Sequence, residues 1–210
     1  MFHVKHPPPR AQADATVSRE TAARLEAFVE LLVQWSKVIN LVAPAAPEVI
    51  RRRHIDDSLQ LIPMLPDAPA IAIDLGSGAG FPGLVLAIAS GLHFHLIEAD
   101  QRKAAFLREA SRLTAAPVTV HACRIEHARL PPAHLITARA LAPLPRLLDL
   151  AAPLLAPGGV CLLLNGRRAA EELTTAETQW HMRVERFPSR TDPASSILKI
   201  SEITRVRQSH

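Results

Sequence analysis

Ala70-Ile-Ala-Ile-Asp-Leu-Gly-Ser-Gly-Ala-Gly-Phe-Pro-Gly83 joins a short apolar run to a cluster of glycines. Ile71, Ile73 and Leu75 read as a buried parallel strand that stops at a tight turn. Residues 84–89, all apolar, read as the helix leaving that turn, with Pro82 suited to its first position. Gly76, Gly78 and Gly80 permit positive φ and let a ligand approach the backbone without a Cβ in the way. The start of the helix adds free N–H groups. The pattern predicts a turn that binds a nucleotide or nucleoside.

The spacing narrows the ligand. A dinucleotide fingerprint is G-x-G-x-x-G/A, whereas here the order is Gly76-x-Gly78-x-Gly80 followed by Phe81. The Gly-Lys-Ser/Thr of a phosphate loop is absent. Asp74, ahead of the first glycine, repels a phosphate but can cap the turn, hold water or bond the amino end of a zwitterion. Further on, residues 93–98 read as the second strand, with Glu98 at its carboxyl end, where a carboxylate accepts from both ribose hydroxyls. A nucleoside with a cationic, amino-acid-like tail fits, and S-adenosylmethionine is the candidate.

Along the rest of the chain, strand and helix patterns alternate. Ser18 can cap a first helix running to about residue 40, with Leu25, Phe28, Val29, Leu32 and Ile39 on one face. A second helix over about 48–65 carries Ile55, Leu59 and Ile62 beside the basic run Arg51, Arg52, Arg53 and His54. After the glycine turn come helix 102–114, strand 118–123, a turn at Ile125-Glu126, strand 134–138 and helix 144–155. A Pro157-Gly-Gly159 turn, strand 160–164, helix 168–178 and an antiparallel pair over 183–187 and 196–203 complete the series. Repeated strand–helix units predict an α/β fold, a mostly parallel sheet with helices on both faces. The expected organisation is a Pro-rich arm over residues 1–17 and a helical extension, together spanning 1–66, followed by a core over 67–210.

At 210 residues, 48% of them apolar, the chain can bury a sizeable core. Its longest apolar stretches are too short for a membrane span, and Met1–Arg10 lacks the apolar segment of a signal peptide. Cys123 and Cys161 lie far apart and read as reduced and structural, which points to the cytoplasm. His93 and His95 share one strand face but lack further ligands at suitable spacing, so no metal is expected. The net charge is +4, and all but four of the 24 cationic side chains are Arg. Residues 101–210 hold 16 cationic against 9 acidic side chains, a balance that suits a nucleic-acid partner.

Several stretches together resemble one family: Trp35-Ser-Lys-Val-Ile-Asn-Leu41, Arg53-His-Ile-Asp-Asp-Ser58, the glycine turn, Arg102-Lys-Ala-Ala-Phe-Leu-Arg108 and Thr137-Ala-Arg-Ala-Leu-Ala142. The resemblance, covering about residues 16–203, is to the bacterial 16S rRNA guanine-N7 methyltransferases, the glucose-inhibited division protein B family. It implies a Rossmann-like class I S-adenosylmethionine-dependent methyltransferase fold with a seven-stranded sheet, and methylation of one guanine of 16S rRNA. It further implies cofactor contacts at Gly76 and Phe81, at Ile125 and Glu126 beside the adenine, and at Arg139. With Asp74, Gly78, Gly80 and Glu98 these form the expected cofactor set, while Arg51, Arg52, Arg53 and His54 are candidates for RNA contact. One departure stands out: the family often has Leu-Lys-Gly after the fifth strand, and here Leu164-Asn-Gly166 is found.

Guanine N7 carries an in-plane lone pair and no proton, so no general base, and hence no acid–base catalytic residue, is expected. Rate would come from alignment of bound reactants. The Asn/Asp-Pro-Pro-aromatic run of adenine amino methylation is absent after strand four, and neither cysteine follows Pro as a C5-pyrimidine nucleophile commonly does. The competing readings are a small-molecule methyltransferase and a non-catalytic RNA-binding ribosome-assembly factor. A monomer with no membrane association is expected.

Overall fold

The computed structural model describes residues 17–66 and 70–206. The Pro-rich arm expected at residues 1–17 lies, apart from Val17, outside the described residues. Helix α1 (Arg19–Ser36) starts where Ser18 Oγ accepts from the Thr21 N–H at 3.1 Å. Leu25, Phe28, Val29 and Leu32 recur at helical spacing and are buried. The helix ends at Ser36, short of the expected residue 40, and the following turn carries Ile39 into the core.

The second expected helix is not one continuous α-helix. It consists of α2 (Pro47–Ile50), a π-helical turn over Arg51–Asp56, α3 (Asp57–Leu59) and a 3-10 turn over Ile62–Met64. Ile50 and Ile55 are both buried although they stand five residues apart. The wider π turn suits that spacing. Pro63 in the last turn cannot continue an α-helix.

The core is built from β1 (Ala72–Leu75), α4 (Gly83–Ser90), β2 (Phe94–Ile97), α5 (Gln101–Thr114), β3 (Val118–His121), β4 (Ala133–Arg139), α6 (Leu144–Ala151), β5 (Leu155–Asn165), α7 (Ala169–Glu177), β6 (Trp180–Pro188) and β7 (Ser196–Arg205). The seven-stranded sheet has the order β3-β2-β1-β4-β5-β7-β6. β7 runs antiparallel to β5 and β6, and the other neighbouring strands are parallel. Pro82 is the N-cap of α4, not its first helical residue, and the Phe81–Pro82 bond is cis. Pro157-Gly-Gly159 lies inside β5 at a register shift against β4, not in a turn ahead of the strand. A Cβ at Gly159 would stand 2.7 Å from the Ala133 carbonyl oxygen, so the strands approach closely there.

Strand side chains alternate between two buried faces. Ala72, Phe94, Leu96, Leu135 and Leu162 meet α1, α4, α5 and the extension. Ile73, Leu75, Ile97, Ile136 and Leu163 meet α6 and Trp180. Arg24 of α1 donates through Nε to the Thr114 carbonyl at 2.6 Å and through Nη2 to that of Ala115 at 3.1 Å. It thereby caps α5 where the last helical carbonyls lack partners. Among the described residues no helix is long and apolar enough to cross a membrane.

Candidate active site

The order of the strands reverses between β1 and β4, and ligands of open parallel sheets bind beyond the carboxyl ends at such a point. The glycine turn leaves β1, and Arg139 closes β4 beside it. The φ angles of Gly76, Gly78 and Gly80 are 62°, 54° and 92°, a conformation that L side chains adopt at a cost. Phe81 and Gly80 fold back to the Ser77 carbonyl.

Glu98 clamps this turn. Its Oε2 accepts from the Gly78 N–H and its Oε1 from the Asp100 N–H, each at 2.8 Å. Each carboxylate oxygen retains a further lone pair. The Gly78 amide is therefore engaged by Glu98 rather than pointing at a ligand.

Asp74 lies beneath the turn, fully buried. A Cβ on Gly83 would stand 2.5 Å from the Asp74 Cβ, so the start of α4 rests directly on this side chain. Oδ1 accepts from the Thr137 hydroxyl at 2.6 Å, whereas Oδ2 has no hydrogen-bond partner. Burial raises its pKa from 3.8 to about 6, against the pull of Thr137, Ser77, the Gly83 N–H and the charge of Arg139. A buried carboxylate oxygen without a partner is costly.

On the β4 side of the turn is a cavity of about 260 Å³, lined by Gly76, Gly78, Phe81, Arg139, Arg53 and His54 among others. Its apolar wall comes from the extension, notably Val42, Val49 and Ile50. Small-molecule sites commonly enclose roughly 300–1,000 Å³, so the cavity has room for only part of a nucleoside-sized molecule. Glu98 stands outside the cavity lining, on the β2 side of the turn.

Phe81 organises this cavity. The His54 ring stacks on it at 4.8 Å and 20°, the Arg139 guanidinium lies 4.8 Å from its centroid, and Phe28 meets it edge-on at 5.7 Å. Arg139 Nη2 donates to His54 Nδ1 at 2.7 Å, Nη1 donates to the Arg53 carbonyl at 3.2 Å, and Asp57 Oδ2 faces Nη1 at 3.5 Å. Asp57 Oδ1 in turn accepts from Thr191 Oγ1 at 2.6 Å and Gln60 Nε2 at 2.7 Å, which ties the β6–β7 loop to the site. Burial lowers the Arg139 pKa, opposed by Asp57 and Asp74. Burial, then Arg139 and Arg53, push His54 down to about 4, so its ring is neutral near pH 7.

The expected site residues thus divide by position. Gly76, Gly78, Phe81 and Arg139 share the cavity with Arg53 and His54, two of the four candidates for RNA contact. Gly80 packs below, close to Leu84 and Phe28. Arg51 pairs with Glu26, and Arg52 is exposed outside the lining. Ile125 and Glu126 lie on the 3-10 turn after β3, away from the cavity lining, with Glu126 paired at 2.7 Å to Arg146. Asp57 and Thr137, which hold Arg139 and Asp74, lie inside two of the stretches that carry the family resemblance, but nothing in those stretches marks them as partners of these side chains. His95 Nδ1 and His121 Nε2 share a hydrogen bond at 3.0 Å, and no group of three potential metal ligands is found among the described residues.

A family model described as rRNA small subunit methyltransferase G matches residues 21–196. The ribosomal RNA small subunit methyltransferase G of Granulibacter bethesdensis is 55% identical over 213 residues, covering 98% of this chain and 100% of that protein. The protein of the same name from Gluconobacter oxydans is 58% identical over 191 residues, covering 91% and 98%. In three dimensions the chain is similar to an O-methyltransferase from Bacillus cereus solved in complex with SAH, with a TM-score of 0.57 over 84% of this chain and 91% of that one. At 19% identity that likeness speaks to the class I methyltransferase fold alone. With the match extending from α1 to the start of β7, across every element that builds the cavity, the chain belongs to the rRNA small subunit methyltransferase G family.

Proposed function

We propose that the protein transfers the methyl group of S-adenosylmethionine to N7 of one guanine in 16S rRNA. The observation that carries this reading is family membership across residues 21–196 combined with a donor-rich cavity beside the glycine turn. When bound, the cofactor supplies a methyl group activated by its sulfonium charge. Glu98, with lone pairs to spare on both oxygens, accepts from the ribose hydroxyls. Asp74, buried beneath the turn, favours the cofactor's ammonium end through its charge and supports the turn that carries it, without touching the ligand. Gly76 and Gly78 bring the backbone of the turn to it, Gly80 lets the turn close against Leu84 and Phe28 beneath, Phe81 and Arg139 bound its reacting end, and Ile125 and Glu126 border its adenine.

No group of the chain needs to remove a proton, because N7 attacks through a free lone pair. The residues act by orientation and by excluding water, which is where the effective molarity of paired reactants arises. Arg52 and Arg53 meet the RNA. In this reading residues 1–66 are the N-terminal arm and helical extension, of which residues within 41–54 line the cavity, and 67–210 are the cofactor-binding core. The protein works as a monomer in the cytoplasm on the small ribosomal subunit.

The test is transfer of labelled methyl from S-adenosylmethionine to small subunits from cells lacking this protein, followed by mapping of the labelled base. Label on a single N7-methylguanine of 16S rRNA is expected. Label elsewhere, or cofactor binding without transfer, overturns the substrate assignment. A Gly78→Arg variant should lose methyl transfer while still binding RNA; retained transfer would mean that the cofactor lies elsewhere. RNA binding by the wild type with neither cofactor binding nor transfer would favour an assembly factor.

A further inference from the structure

We infer that His54 is the side chain that reads the target base: Arg139 holds its proton on Nε2, and Nε2–H donates to the exocyclic O6 beside the N7 that is methylated. This rests on the function proposed above. A guanidinium has donors only. The 2.7 Å contact from Arg139 Nη2 therefore requires a lone pair on His54 Nδ1, which leaves the ring hydrogen on Nε2. Among the described residues nothing accepts from that Nε2, although the imidazole lines the cavity. Its orientation is fixed by stacking on Phe81. Arg139 is itself held by Asp57 and the Arg53 carbonyl, so the tautomer is imposed by a braced group.

The cavity's position selects the reacting end of the ligand. Glu98, the ribose acceptor in the proposed function, lies on the β2 side of the glycine turn, and the cavity opens on the β4 side. Arg53, His54 and Arg139 all present donors to it, and no carboxylate is among its lining residues. The edge of guanine that carries N7 presents two acceptors, N7 and O6, whereas adenine presents N7 and an amino donor. N7 must keep its lone pair for the methyl group, so the acceptor left to recognise is O6. A single, fixed N–H donor satisfies guanine there and confronts adenine with another donor.

The chemistry of an acceptor in this cavity has a second source, the carboxylate of the cofactor's methionyl tail, and the experiment separates the two. Methyl transfer is measured for wild type, His54→Phe and His54→Gln on small subunits carrying guanine or adenine at the mapped target position. Cofactor affinity is measured by calorimetry and folding by thermal melting. His54→Phe should lower kcat/KM on the guanine substrate by about tenfold or more, as expected for loss of a base-reading contact, and shrink the preference for guanine over adenine. It should leave cofactor affinity within about twofold, since Arg139 keeps Asp57 and the Arg53 carbonyl and Phe81 keeps a ring stacked on it. His54→Gln, whose amide nitrogen can reach the Nε2 position, should recover part of both losses.

A fall in cofactor affinity matching the fall in kcat/KM would assign the donor to the methionyl carboxylate and overturn the inference. An undiminished guanine preference in both folded variants would overturn it equally. If wild type itself transfers nothing to subunits, the proposed function fails, and this inference fails with it.

Discussion

Asp74 is where stability and function pull apart. Its carboxyl ionises near 3.8 in the unfolded chain and at about 6 in the fold, chiefly because it is buried. The native state holds the proton more tightly, so stability falls as pH rises from about 4 to 6 and levels off above. The loss is of order 3 kcal/mol. An Asp74→Asn variant keeps an acceptor for Thr137 and has nothing to ionise. The difference in melting temperature between variant and wild type should therefore shift in the variant's favour across pH 4–6 and stay constant above pH 6. Cofactor affinity of the variant at pH 7.5 should drop by about three- to tenfold, through loss of the negative charge beneath the turn rather than of a contact. Parallel melting profiles for the two proteins would show that Asp74 is not held in the state described.

Among the elements, the glycine turn shows that glycines in one motif do different things. At Gly83 an added Cβ would meet Asp74 Cβ at 2.5 Å and Cγ at 2.7 Å, the stem of a buried side chain that cannot swing away. Gly83→Ala must lift the start of α4 and should cost about 2–3 kcal/mol in urea unfolding. At Gly78 (φ 54°) the nearest atom to an added Cβ is the Gly76 carbonyl oxygen, at 3.7 Å. Gly78→Ala should cost only the left-handed backbone strain, about 1–2 kcal/mol, while weakening cofactor binding. Equal stability losses for the two would contradict this division. The helices outside the turn were legible to within a few residues because caps and periodicity are local. Ser18 and Asp100 both accept from N–H groups in the first turn of the helices they precede. The π turn over Arg51–Asp56 was not legible: its cue, buried Ile50 and Ile55 five residues apart, is not an α-helical repeat.

For the molecule as a whole, the extension and the sheet share one core. Phe28 of α1 is fully buried and touches both Phe81 at the cavity and Phe106 of α5, the latter at 6.1 Å. Phe28→Ala should cost about 3–5 kcal/mol. Because the removed ring supports Phe81, activity should fall at temperatures where the variant is still folded. Thermal melting followed by circular dichroism, run beside methyl transfer at 20 °C below the melting point, checks both halves. A destabilised variant with full activity would show that Phe81 does not depend on α1.

The sequence by itself determined the alternation of strands and helices, the glycine turn after β1 and the acidic end of β2. Each rests on a property that a residue carries with its immediate neighbours: side-chain period, a φ that suits glycine, an N-cap oxygen. Tertiary structure decided what those parts do to one another. Arg139 meets His54 and Arg53 across some 85 positions of chain, through the adjacency of β1 and β4 and the path of the π turn. Nothing local in Arg51-Arg-Arg-His54 distinguishes the pair that lines the cavity from Arg51, which pairs with Glu26. The same holds for Asp74, which reads as a ligand-facing carboxylate and is sealed beneath α4 by the absent side chain of Gly83. Burial and partnership at long range follow from which strands lie side by side, and that is settled only when the whole sheet closes over its core.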